Sequence, residues 1–75
     1  MDATSEAAHA AASALADQLH ADPDATNVVI QDNEGRPLRV AWTQHLAHGG
    51  IQGCYADINR DDGTIIATVR PEAAA

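Results

Sequence analysis

Two histidines and a cysteine are the side chains best suited to chemistry, and they lie close together in His45-Leu-Ala-His48-Gly-Gly-Ile-Gln-Gly-Cys54. Imidazole nitrogens and a thiolate are good zinc ligands, and a catalytic zinc needs only three of them from the protein. The spacing fits no structural zinc pattern, which would require a second close pair. His45, His48 and Cys54 therefore make a weak metal candidate, and no metal or other cofactor is expected. The same residues raise a thiol mechanism, with Cys54 as nucleophile and His45 or His48 as base. The N–H groups of Gly49, Gly50 and Gly53 would then face an oxyanion. A domain this small has little room for a water-excluding pocket. The plainer account is two surface histidines and a buried thiol, because free cysteine is among the most buried residue types.

The glycines of Gly49-Gly-Ile-Gln-Gly53 are not a phosphate cradle either. Such loops follow a strand, open a helix and usually carry a lysine, and this chain has no lysine. Asp22/Asp24 and Asp61/Asp62 lack the alternating ligand spacing of a calcium loop and read as turn formers. No catalytic residue is assigned, and the chain is read as not an enzyme.

The elements that carry these residues are legible from periodicity. Apolar residues at Ala8, Ala12, Leu15 and Leu19 share one helical face and predict a helix over 4–21. Asp2 or Thr4 would cap it, Glu6 would complement its dipole, and Asp22-Pro23 would end it. Strands are expected over Asn27 to Gln31, Leu38 to Leu46, Ile51 to Asn59 and Thr64 to Arg70. Turns at Asp32-Asn-Glu-Gly35, Ala47-His-Gly-Gly50 and Asp61-Asp-Gly63 separate them. Residues 1–3 and 71–75 are expected to fray. The predicted fold class is α+β, α-β-β-β-β, with one helix packed on one face of a four-stranded antiparallel meander covering 27–70 in a single domain. That order is shared in part with double-stranded-RNA-binding domains, but their basic loop and closing helix are missing. The strand-Asp-Gly-strand ending resembles small protease-inhibitory domains over one hairpin only, and no residue role is carried over from it.

Alternation then sorts side chains by face. Val28, Ile30, Leu38, Val40, Trp42, Cys54, Ala56, Ile58, Ile65, Ala67 and Val69 would lie under the helix. Val29, Ala41, Thr43, Tyr55, Ile66 and Thr68 would form an open face, short of charge for a surface left to water. Such a patch marks an interaction surface. A slip of one residue in the third strand would turn Tyr55 inward. Arg36 and Arg39 read as solvated charges flanking the first hairpin.

Composition bounds the rest. Alanine supplies 17 of the 75 residues, while Leu, Ile and Val total 13, so the core is modest and would gain from a partner. Eleven acids against four arginines leave a net charge of -7. This charge repels phosphate backbones and anionic membrane surfaces and suits a basic protein partner. A GC-rich genome or a high-salt cytoplasm would each account for the absence of lysine. A single cysteine forms no internal disulfide, the first residues have no basic signal-peptide character, and Leu46 to Ala56 is too broken by Gly and Gln to span a bilayer. A cytoplasmic location is expected. The leading reading is a non-catalytic interaction module, a homodimer through the open face or an edge strand. The alternative is an acidic inhibitor that presents carboxylates to a basic protein in place of nucleic acid. The metal reading of His45, His48 and Cys54 comes third.

Overall fold

The computed structural model describes residues 4–70, and the predicted order of one helix and four strands is the fold. Helix α1 (Glu6–Ala21) is followed by β1 (Ala25–Gln31), β2 (Leu38–His45), β3 (Ile51–Ile58) and β4 (Ile65–Val69). They form one antiparallel sheet in the order β1-β2-β3-β4. The expected fraying of 1–3 and 71–75, and Asp2 as a cap, lie outside the described residues.

The helix starts two residues later than expected because Ser5, not Thr4, is the cap. Ser5 is extended, and its hydroxyl accepts the Ala8 N–H at 3.0 Å. Its own N–H donates to the Arg60 carbonyl at 2.8 Å, tying the helix start to the β3–β4 turn. At the other end Asp22 is pushed into extended geometry before Pro23, as the steric rule requires. The buried stripe is Ala8, Ala12, Ala16 and Leu19, with Leu15 only partly covered. Alanines let the helix lie close on the sheet, where Leu38, Val40, Trp42, Cys54, Ala56 and Ile58 complete the core. The Trp42 indole N–H donates to the Gln44 side-chain Oε1 at 3.1 Å, which satisfies the one polar atom that this large core side chain carries.

Two β-bulges change the face assignments. In β1, Thr26 pairs with Thr43 but Val29 pairs with Ala41, so one extra residue is accommodated, with Asn27 in the left-handed region at φ 56°. The strand therefore begins at Ala25, whose side chain is buried, and still presents Val29 outward beside Ala41. In β4, Asp57 pairs with Ala67 and Ile58 with Ile65, leaving Ile66 as the extra residue. Every residue after it is inverted from strict alternation. Thr68, expected on the open face, pairs with Ala56 on the helix side. Ala67 and Val69, expected under the helix, pair with Asp57 and Tyr55 on the open side.

The helix also covers less than one whole face. It packs against β1, β2 and part of β3 and does not reach β4. A helix about 10 Å across can cover only about two strands spaced roughly 4.8 Å apart. Ile65, on the helix side of β4, is exposed in consequence. Ala67 and Val69 are exposed because the bulge turns them to the open side, and Ile30, at the far end of β1, is exposed as well. None of the four joins the core in which it was expected.

Candidate interaction surface

The expected site residues do not gather into one place. His45 pairs with Ile51 and faces the open side, where its Nε2 lies 3.3 Å from the Thr26 hydroxyl. Cys54 pairs with Trp42 on the helix side and is 3 % exposed. The sheet itself thus separates the imidazole from the thiol. His48 sits in the β2–β3 turn, and its Nδ1 accepts the Gly50 N–H at 3.3 Å. Among the described residues no three His, Cys, Asp or Glu side chains are grouped closely enough to hold a metal ion. The Cys54 thiol donates to the Gln52 carbonyl at 3.6 Å, and burial pushes its pKa up, against a smaller opposing effect of Arg70. An activated nucleophile needs the opposite shift. Cys54 should react with iodoacetamide far more slowly in the native protein than in urea, and equal rates would put the thiol at the surface.

Tyr55 stands on the open face, beside Ala41 and half-buried, so the third strand keeps the register in which Cys54, Ala56 and Ile58 point inward. That face is not free of charge. Arg39 and Asp57 are directly opposed on β2 and β3, and the guanidinium makes two contacts with the carboxylate, Nε at 2.7 Å and Nη2 at 3.1 Å. The guanidinium carbon lies 4.0 Å from the Tyr55 ring centre, a cation–π contact. Its hydrogen bond to Asp57 raises the Arg39 pKa further. Arg39 is thus still partly solvated, as its sequence position suggests, but it is also paired, because β2 is an interior strand and its neighbour supplies a carboxylate in register. Around this pair Val29, Ala41 and Thr43 sit as expected, with Val69 joining them through the β4 bulge.

The barest apolar surface lies elsewhere, along β4. All five of its residues are exposed, with Ile65 60 %, Ile66 55 % and Val69 40 % open to solvent. From Thr64 to Val69 there is no charge and no proline. Natural edge strands are protected by lysine, proline, a covering element or a bulge, and among the described residues only the bulge is present here. The segment is framed by charges of opposite sign, Asp61 and Asp62 before it and Arg70 after it. Asp62 is folded back onto the strand: its Oδ1 accepts both the Thr64 N–H at 2.9 Å and the Thr64 hydroxyl at 2.8 Å, which lowers its pKa. Strict period-two reading misses this edge, because it assigns Ile65 and Val69 to the core. The missing charge in Thr64 to Val69 is the available signal.

No helix among the described residues is long and apolar enough to cross a membrane. No protein-family model, curated protein or solved structure matches the chain.

Proposed function

We propose that the protein is a small acidic interaction module that acts by association and not by catalysis, and that its first partner is a second copy of itself. The observation that carries this reading is the β4 edge, apolar, uncharged and beyond the reach of α1. An edge of this kind offers backbone N–H and C=O groups to an added strand and apolar side chains to be covered with it. The net charge of -7 opposes association of identical chains, and salt screens it. Sedimentation velocity should give a dimer at micromolar concentration in moderate salt, shifting toward monomer on dilution or at low ionic strength. A monomer at every concentration and salt would overturn the reading. A cytoplasmic site of action goes with this proposal.

One observation favours a second reading, an acidic inhibitor of a basic protein. The β1–β2 and β3–β4 turns meet at the start of α1, where Arg60 bridges to Asp32 and to the Arg36 carbonyl. Glu6, Asp32, Glu34, Asp61 and Asp62 thus collect at one end of the molecule around two arginines. A salt-sensitive complex with a polycation, formed by the monomer and abolished by neutralising Asp61 and Asp62, would favour it over the dimer.

A further inference from the structure

We propose that β4 pairs antiparallel with β4 of a second copy, joining two four-stranded sheets into one of eight strands, with Arg70 of each copy set against Asp62 of the other. This rests on the self-association proposed above and names the edge, the direction and the charges that select it. The choice of β4 follows from comparing the available surfaces. The other edge, β1, packs against α1 through its first half and is broken there by left-handed Asn27, although Val29 to Gln31 are exposed. The open face carries the Arg39–Asp57 pair at its middle, and burying an ion pair against a second copy costs desolvation that a flat contact does not return. β4 lies clear of α1 and carries no ion pair at its middle, and its bulge at Ile66 involves no left-handed residue.

Direction follows from charge. A two-fold axis at Ala67, the middle of β4, places Val69 of one copy opposite Ile65 of the other and Arg70 opposite Thr64. Thr64 is the residue onto which the Asp62 carboxylate is folded, through Oδ1 alone, so Oδ2 is left available to a second chain. Arg70 is half-exposed, and its ion-pair contact to Asp22 is loose at 4.0 Å. Antiparallel pairing therefore brings a loosely held guanidinium to a carboxylate twice, once at each end of the ladder. Parallel pairing would set Asp62 beside Asp62 and Arg70 beside Arg70. The apolar middle, Ile65, Ile66 and Val69, is covered in the same step. A five-residue ladder buries less than the roughly 800 Å² per partner of a standard stable interface, so the dimer is of micromolar strength.

The test is a charge swap read by sedimentation. Arg70→Glu alone sets a new carboxylate against Asp62, and Asp62→Arg alone sets a new guanidinium against Arg70. Each variant is expected to raise the dimer dissociation constant about tenfold or more, since both symmetric contacts turn from attraction to repulsion. An equimolar mixture of the two variants relieves the repulsion by pairing unlike chains, and it is expected to form a heterodimer tighter than either variant's homodimer. Should Asp62→Arg unfold through loss of its bonds to Thr64, as circular dichroism would reveal, Asp61→Arg takes its place in the mixture. A wild-type dimer whose strength neither variant changes, or a mixture that stays monomeric, overturns the β4 pairing while leaving self-association standing. A wild type that is monomeric throughout overturns both.

Discussion

Ile58→Ala is expected to lower the thermal midpoint by at least roughly 14 °C, among the largest effects of any single truncation in the chain. Ile58 is fully buried, and it is directly opposite Leu38, also fully buried, on the helix side of the sheet. Removing three of its carbons forfeits their transfer energy and leaves a cavity, about 2–5 kcal/mol together. The upper half of that range applies here. The helix residues over the sheet are chiefly Ala8, Ala12 and Ala16, which have no longer side chain to swing into the gap. A domain of this length holds roughly 4–11 kcal/mol in all, and each kcal/mol is worth about 4–8 °C at this size. Ile51→Ala is the control, since Ile51 is 66 % exposed and its truncation should move the midpoint only slightly. Melting followed by circular dichroism decides it. Equal small shifts for both would mean that Ile58 does not carry the core.

The contrast between Ile58 and Ile65 shows which parts of the fold were legible in the sequence. Both are β-branched, both are assigned to the helix side by alternation, and their Cα atoms are paired across β3 and β4. One is wholly buried and the other 60 % exposed. Period-two patterning reports the face of a strand but not how far an overlying helix extends, which depends on where α1 crosses the sheet. That in turn is set by the close approach of Ala8, Ala12 and Ala16 to β1 and β2. The element order, the inward set of β2 and β3, and the place of Trp42 followed from pattern alone, because those strands pair without a bulge over eight residues. Thr68 did not, because the extra residue Ile66 has no side-chain signature that distinguishes it from its neighbour Ile65. Arg39 and Asp57 were readable as individual charges. Their pairing depends on the β2–β3 register, which eighteen residues of separation leave open. The His45, His48 and Cys54 grouping failed as a site for the simplest reason. Proximity in sequence does not survive a sheet whose two faces alternate, and an odd count of nine residues through a turn put the imidazole of His45 and the thiol of Cys54 on opposite sides.

Gly63→Ala is expected to be the most damaging surface change, and Gly35→Ala supplies its measure. The two glycines share nearly the same left-handed backbone, φ 78° at Gly63 and φ 80° at Gly35, so an alanine meets the same intrinsic strain at both, about 1–2 kcal/mol. Their surroundings differ. A Cβ at Gly35 meets nothing within 4 Å, whereas at Gly63 it would come to 2.5 Å from the Ala7 carbonyl oxygen and 2.7 Å from its carbon. Those are backbone atoms of the first turn of α1, which cannot rotate away as a side chain would. Relief requires the β3–β4 turn to lift off the helix, and that breaks the bond from the Ser5 N–H to the Arg60 carbonyl beside the helix cap. The Gly63 N–H, which closes the turn by donating to the Asn59 carbonyl at 3.0 Å, is strained in the same movement. Gly63→Ala should therefore destabilise by at least about 2 kcal/mol more than Gly35→Ala, an added drop of roughly 8–16 °C in the midpoint. Hydrogen exchange should locate the loss, with protection at Ala8 and His9 falling before that of the β2–β3 ladder. Equal midpoints for the two variants would show that the turn does not press on the helix, and would remove the contact that holds the acidic end of β4 in place.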